Sequence, residues 1–229
     1  MPRLLKGRKT AHSVLCNRRR EDLEAVARDA EFIEQFIGID PARVTSTDGG
    51  SDPWPDLTAT GRPVLLHVGH LKRNRGLDVL ADAKRLLADQ IEVVVQGSPA
   101  LPPDAGVLED LESAGVRVRR TFEPNLHRLY KAADLYVFPV QQVSAGAIEL
   151  PLGVLEAIAN QTPVLTTDFG VLRRALDGLP GVTFGTRDEF LSSLRSLVAG
   201  TGLRNKPHGL PDHLHADRTA EAVLQMVEK

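Results

Sequence analysis

Residues 135–168 read LYVFPVQQVSAGAIELPLGVLEAIANQTPVLTTD. Leu135–Phe138 and Val164–Thr167 are short apolar runs, and each is followed at once by a residue that interrupts a strand. Between them, apolar residues recur at helical spacing from Val154 to Ile158. A strand, a helix and a second strand without clean alternation of polar and apolar residues predict one βαβ unit of a buried parallel sheet.

The same alternation extends outward from this unit. Further strands are predicted at Val64–Val68, Ile91–Gln96, Val116–Arg119 and Val182–Phe184, and further helices at Leu77–Leu87 and Leu126–Ala133. Because right-handed crossovers place helices on both faces of such a sheet, the sequence predicts an α/β fold with a doubly wound, Rossmann-like parallel sheet.

The two ends of the chain have a different pattern. We predict, in order, a strand at Ala11–Asn17, an amphipathic helix at Arg20–Ile37 stopped by Gly38, a short strand at Arg43–Thr45, a turn-rich linker at Asp48–Pro55, a loop at Gly200–His215 and a final helix at Arg218–Val227. One strand and one helix cannot enclose a core, so the N-terminal piece must pack on something else.

Composition excludes several classes of function. The net charge is −2, from 28 basic and 30 acidic residues, so no field of one sign indicates nucleic acid as a partner. The single cysteine, Cys16, excludes an internal disulfide and a cysteine-rich metal site. The clustered His208, His213 and His215 are more typical of a solvated loop than of metal ligands. With neither a secretory signal nor a long apolar run, we expect a cytoplasmic protein.

The loop Gly69–Gly76, GHLKRNRG, follows one predicted strand and opens a helix. Backbone N–H groups at such a helix start attract anions, and Lys72, Arg73 and Arg75 add positive charge. The loop therefore predicts a phosphate site; the alternative is a solvated basic turn. Glu149 and Glu156 lie where an open α/β sheet binds its ligand, at the carboxyl ends of the strands.

The loop resembles the Gly-Arg-Leu-x-x-x-Lys-Gly element of retaining, family 4 type glycosyltransferases of the GT-B fold. In that family an arginine and a lysine grip the donor diphosphate in place of a metal ion. Gly69 and Gly76 fall on the two glycines, Arg75 falls on the lysine, and His70 replaces the arginine. A histidine is shorter and mostly neutral at pH 7, so Lys72 and Arg73 are further candidates for that contact.

The two glutamates resemble the paired glutamates of the same family. Six residues separate Glu149 from Glu156, whereas seven are usual, and Ile148 stands at the strictly counted position. The resemblance implies that Glu149 and Arg75 are catalytic and that Glu156 binds the donor ribose; an exposed helix glutamate is the alternative for Glu156. Electrostatic support of the helix start is the alternative for Glu149. Implied donor contacts also include Gly97, Leu152, Gly153 and Val154.

The resemblance covers about residues 12–229 and implies a division of labour. Residues 1–62 correspond to a remnant of the N-terminal acceptor domain plus the hinge, and residues 63–229 to the nucleotide-sugar donor domain with its final crossing helix. The implied function is metal-independent, retaining transfer of a hexose from a nucleoside diphosphate sugar, without a cofactor. The acceptor would be a glycan, a lipid or a small molecule, reached in the cytoplasm or at the inner face of the membrane.

Three interpretations of the short acceptor half remain open. The chain is one subunit of a two-subunit transferase whose acceptor domain is a separate chain, a truncated gene product, or a nucleotide-sugar-binding module without transfer activity. A sugar-nucleotide epimerase of the same fold is a more distant alternative.

Overall fold

Strands and helices alternate through a computed structural model that describes residues 11–14, 17–27, 30–45, 51–140, 150–200 and 202–227. The strands are β1 (Ala11–Val14), β2 (Glu31–Glu34), β3 (Val64–Gly69), β4 (Glu92–Gly97), β5 (Arg117–Arg119), β6 (Leu135–Phe138), β7 (Val164–Thr167) and β8 (Val182–Gly185). The helices are α1 (Asn17–Glu24), α2 (Pro41–Val44), α3 (Pro55–Thr58), α4 (Leu77–Leu87), α5 (Val107–Ser113), α6 (Leu126–Ala132), α7 (Leu152–Ala159), α8 (Leu172–Leu176), α9 (Phe190–Ala199) and α10 (Ala216–Val227).

By its internal contacts the chain divides into two compact units. One contains residues 41–210, and the other contains residues 1–40 together with 211–229. The predicted functional division at residue 62 remains a prediction.

The larger unit is built on a six-stranded sheet in the order β5-β4-β3-β6-β7-β8, and all its paired strands are parallel. All four side chains of β6 and of β7 are buried, as are the first four of β3. Burial on both faces explains the unbroken apolar runs that marked these strands in the sequence. The predicted doubly wound sheet is confirmed, and its strand order reverses between β3 and β6.

The predicted helix Arg20–Ile37 is wrong. Helix α1 ends at Glu24, and β2 pairs in parallel with β1, with Phe32 opposite His12 and their rings stacked 5.4 Å apart. Pairing with a neighbouring strand therefore overrides a helical pattern that was clear in the sequence. Val26, expected to face inward, is 75% exposed.

Three other predictions about the chain ends need correction. The strand predicted to reach Asn17 ends at Val14, and Asn17 begins α1. Arg43–Thr45 is not a strand, because Pro41 starts the helical turn α2 and the Thr45 N–H donates to the Pro41 carbonyl. Gly38 does not stop a helix. A Cβ there would lie 2.3 Å from the His215 carbonyl carbon, and the adjacent Ile39 forms a parallel bridge with His215.

The C-terminal helix is confirmed and begins at Ala216, two residues earlier than predicted. Of the predicted linker, residues 48–50 lie outside the described residues. Trp54 is buried, as expected for an anchor, and its backbone N–H donates to Asp52 Oδ1 over 2.7 Å. No helix in the described ranges is long and apolar enough to cross a membrane.

The buried His67 on β3 should make the protein sensitive to acid. Its Nδ1 lies 2.9 Å from the Val137 carbonyl oxygen, and burial lowers the pKa of His67 from 6.5 to about 4. The unfolded chain therefore binds the extra proton between these values, so stability falls as pH drops from 6.5 to 4, by about 3 kcal/mol at most.

We expect His67→Phe, which keeps an aromatic ring beside Tyr136 and Phe138, to flatten this part of the pH dependence. Denaturant unfolding of both proteins between pH 4 and 7 measures the effect. Identical slopes for the two proteins would contradict the assignment.

Candidate functional site

The first βα turn of the sheet meets the end of β6 at the point where the strand order reverses. Gly76, which enters α4, has a left-handed φ of 69°, and a Cβ there would lie 1.8 Å from the Pro139 carbonyl oxygen. Only glycine fits this close approach. Arg75 immediately precedes this contact, and it is therefore held at the crevice between β3 and β6, where open α/β sheets bind ligands.

Two further glycines form the base of the same loop. Gly69 and Gly97 are partners in the register of β3 and β4, and the Ser98 N–H donates to the Gly69 carbonyl over 2.8 Å. A Cβ at Gly97 would lie 3.2 Å from the Leu71 side chain. The predicted donor residues Gly69 and Gly97 thus sit side by side at the carboxyl edge.

The cations of the loop are not equivalent. Lys72 Nζ donates to Asp104 Oδ1 over 2.9 Å, and the Arg73 N–H donates to Oδ2 of the same carboxylate. The Lys72 hydrogen bond and then the Arg73 N–H lower the pKa of Asp104. The Arg73 guanidinium donates to the Ala105 carbonyl. Both side chains are therefore tied to the loop that follows β4.

Arg75 differs from these two. Within the described part of the chain its half-buried guanidinium makes no ion pair or hydrogen bond. Burial lowers the pKa of Arg75 from its usual value, but a guanidinium remains charged at neutral pH. Arg75 is thus the loop cation whose charge is available to a ligand.

His70, which stands where the family has an arginine, is half-buried. Its carbonyl accepts the Lys72 N–H over 2.9 Å. Its imidazole Nδ1 is buried without a partner among the described residues. A buried ring nitrogen without a partner is uncommon in proteins and marks a place where a ligand or water can complete the hydrogen bonding.

Glu156 lies on α7 and is half-buried. Its Oε2 accepts a hydrogen bond from the Tyr130 hydroxyl over 2.8 Å. Burial raises the pKa of the neighbouring Tyr136 and Glu156 raises it further, whereas the Val68 carbonyl and Arg75 act to lower it. Arg75 and Glu156 therefore both act electrostatically on the Tyr136 hydroxyl, which donates to the Val68 carbonyl near the carboxyl end of β3.

The start of α7 packs closely on these tyrosines. A Cβ at Gly153 would lie 2.6 Å from Tyr136 Oη and 3.4 Å from Tyr130 Oη, so a larger residue would displace them. Leu152 is 43% exposed, whereas the Val154 side chain is fully buried in the core. Gly153 therefore borders both phenols, and the donor contacts predicted for Leu152, Gly153 and Val154 remain predictions.

Glu149 and the predicted sugar loop Ser144–Ile148 lie outside the described residues. Sequence reasoning did not identify Tyr130, Tyr136 or Asp104 as part of the site. The sequence could have indicated the two tyrosines, because a buried phenol needs a hydrogen-bond partner. Nothing in the sequence indicated Asp104, which lies in a proline-rich loop.

A surface groove of about 490 Å³ lies beside the loop but is distinct from the crevice. Its charged side chains already have partners: Asp110 binds Arg85, Asp78 binds Arg187, and Arg73 binds a carbonyl. It is lined by Arg73, Asn74, Leu77, Asp78, Gly106, Val107 and Asp110. Across the described residues, no group of three or more His, Cys, Asp or Glu is arranged to hold a metal ion.

A family model described as "Glycosyl transferases group 1" matches residues 62–199. This chain belongs to the group 1 glycosyltransferases. It is similar to a D-inositol 3-phosphate glycosyltransferase of Xylanimonas cellulosilytica, with 31% identity over 206 residues that cover 77% of this chain and 48% of that protein. This glycosyltransferase chain therefore spans about half the length of that curated relative.

Solved structures support the fold. A sucrose-phosphate synthase from Thermosynechococcus elongatus superimposes with a TM-score of 0.72 at 17% identity, over 95% of this chain and 57% of that one. A glycosyltransferase from Rickettsia africae gives 0.71 at 12% identity, over 98% and 65%. A UDP-forming trehalose-phosphate synthase from Burkholderia xenovorans gives 0.64 at 12% identity, over 86% and 52%. The predicted GT-B fold is confirmed.

Replacing Gly76 by alanine should distort the turn that holds Arg75. The added methyl meets the Pro139 carbonyl, so we expect a loss of about 3 kcal/mol or more in the free energy of unfolding. Gly61→Ala is a matched control, because Gly61 has the same φ of 69° but a Cβ added there would have nothing within 4 Å.

Gly61→Ala should lower the free energy of unfolding only by the backbone strain, about 1 kcal/mol. Denaturant unfolding compares the two variants. Equal losses would show that the approach to Pro139 imposes no constraint.

Proposed function

We propose that this chain is the donor-binding part of a hexosyl-type glycosyltransferase that takes a sugar from a nucleoside diphosphate sugar. The observation that carries the proposal is that the available cation Arg75 and the carboxylate Glu156 both act on the buried Tyr136 hydroxyl, which donates to the Val68 carbonyl near the carboxyl end of β3. Membership of the family indicates the class of reaction, and the charged side chains of Arg75 and Glu156 indicate the class of donor.

Arg75 is proposed to bind the donor diphosphate. Its charge is partly desolvated, which strengthens its attraction to an anion, and the start of the eleven-residue helix α4 adds a favourable dipole. His70 completes the phosphate contacts, since Lys72 is engaged by Asp104. With Arg75 and the start of α4 offsetting the diphosphate charge, the proposed mechanism requires no metal ion.

Glu156 is proposed to bind the donor ribose. A carboxylate accepts two hydrogen bonds from vicinal hydroxyls, and its Oε1 is the oxygen that the Tyr130 hydroxyl leaves unused. Glu156 lies on α7, which follows β6, the neighbour of β3 in the sheet, and this position suits a nucleotide whose diphosphate lies at the loop after β3.

In the proposed reaction the bond between the sugar anomeric carbon and the diphosphate oxygen breaks, and a bond to an acceptor oxygen forms. The nucleoside diphosphate leaves with the bonding electron pair, and its departing oxygen takes up the proton of the acceptor hydroxyl. Arg75 stabilises the charge that develops on the leaving diphosphate. Glu149 is proposed to face the sugar, and retention of configuration follows from the family resemblance. No cofactor is required.

The acceptor is proposed to be a glycan, a lipid or a small molecule, bound by an acceptor domain in the cytoplasm or at the inner face of the membrane. A nucleotide-sugar-binding subunit without transfer activity is a second candidate, because the chain covers 48% of its curated relative. Donor turnover separates the two: a transferase releases nucleoside diphosphate, alone or with an added acceptor-domain subunit, whereas a binding module does not.

Isothermal titration calorimetry with UDP, GDP and their hexose conjugates tests the donor site. At least one of these ligands should bind. Arg75→Ala should weaken its binding about 100-fold, and Glu156→Gln about tenfold, as expected for charge-assisted hydrogen bonds.

Arg85→Ala, in the last turn of the same helix α4, is the control and should leave affinity unchanged. The donor-site proposal fails if no nucleotide binds, or if Arg75→Ala and Glu156→Gln behave like the control.

His70→Arg should strengthen donor binding. The substitution restores the cation that the family carries at this position, and an arginine can form two hydrogen bonds with a phosphate. We expect an affinity gain of about tenfold for the diphosphate, with no gain for the nucleoside that lacks phosphates. A gain for the nucleoside as well, or no gain for either, would place His70 away from the diphosphate.

A further inference from the structure

The hydroxyl of Tyr130 occupies an unusual position for a core residue. Tyr130 is 1% exposed, and its carbonyl is fixed by the Thr162 hydroxyl over 2.8 Å. Its own hydroxyl nevertheless reaches Oε2 of the half-buried Glu156 over 2.8 Å. Tyr130 is therefore buried in the core, whereas its hydroxyl contacts the Glu156 carboxylate that is proposed to bind the ribose.

Tyr136 offers an internal comparison. The two rings are tilted by 58° with centroids 5.5 Å apart, and both hydroxyls lie beneath Gly153. The Tyr136 hydroxyl, however, donates to the Val68 carbonyl over 3.3 Å. Tyr136 thus ties two strands of the sheet together, whereas Tyr130 ties the core to a group in the site.

We infer that Tyr130 is a positioning residue that holds the Glu156 carboxylate in the orientation needed to bind the two ribose hydroxyls of the donor. This inference rests on the proposed role of Glu156 and assigns a further residue to that role.

The physical argument concerns preorganisation. A glutamate has three side-chain torsions, and fixing them during binding costs free energy. The phenol holds Oε2 before a ligand arrives and leaves Oε1 to accept hydroxyl hydrogen bonds. The Glu156 carbonyl is also held, by the Asn160 side-chain amide over 2.9 Å, so backbone and carboxylate are both fixed.

The environment of the phenol keeps it in its donor form. Burial, and then the nearby Tyr136 and Glu156, raise the pKa of Tyr130 well above its usual value. The hydroxyl therefore remains protonated at neutral pH and acts as the donor toward the Glu156 carboxylate.

The test compares Tyr130→Phe with Tyr136→Phe in the full chain. Each variant loses one buried hydroxyl and keeps its ring, so the two form a matched pair. The probes are UDP and GDP with their 2′-deoxy and 3′-deoxy analogues, and calorimetry measures the dissociation constants.

Tyr130→Phe should weaken binding of the ribonucleotide about tenfold and have a smaller effect on each deoxy analogue, which keeps only one of the two hydroxyls bound by Glu156. Tyr136→Phe should affect ribonucleotide and deoxy analogues equally. In a Glu156→Gln background, Tyr130→Phe should have no further effect on ribonucleotide binding.

The outcomes separate the inference from the function on which it rests. The positioning role is overturned if Glu156→Gln weakens binding but Tyr130→Phe does not. It is also overturned if Tyr130→Phe weakens binding of the ribonucleotides and of their deoxy analogues equally. In both cases the donor site stands. If the unmodified chain binds neither UDP nor GDP, both are overturned.

Discussion

The contact between Gly76 and the Pro139 carbonyl is the constraint on which the candidate site depends. It brings the turn after β3 against the end of β6, where the strand order of the sheet reverses. A side chain at position 76 would hold these two segments apart, and Arg75 would move with the turn. The close approach thus converts a general feature of doubly wound sheets, a crevice at the switch point, into a site with a defined cation.

Neighbouring contacts then assign different tasks to similar residues. Asp104 binds Lys72 and the Arg73 backbone, so these residues hold two loops together. Arg75 has no such partner among the described residues, and its charge stays available. A comparable division holds for the two tyrosines beneath Gly153, since one joins strands and the other reaches Glu156. In the proposed site, the role of each polar group follows from whether the fold already provides it with a partner.

The sheet was predictable from sequence because its central strands are buried on both faces and therefore appear as continuous apolar runs. Local pattern failed at Arg20–Ile37, where pairing of Phe32 with β1 prevailed over helical periodicity. Local pattern also could not identify the hydrogen-bond partner of Lys72, which is 32 residues away, or the tyrosine that binds Glu156, which is 26 residues away. Motif positions indicated candidate site residues, but the partners of each charged group depend on the tertiary fold.

The central claim is that the crevice between β3 and β6 binds a nucleoside diphosphate through Arg75 and Glu156. A crystal structure of the chain with bound UDP or GDP tests it most directly. The account predicts phosphate oxygens within hydrogen-bond distance of the Arg75 guanidinium and ribose hydroxyls at Glu156. Nucleotide bound elsewhere, for example in the groove beside Arg73 and Asp110, with the crevice containing only solvent, would contradict it.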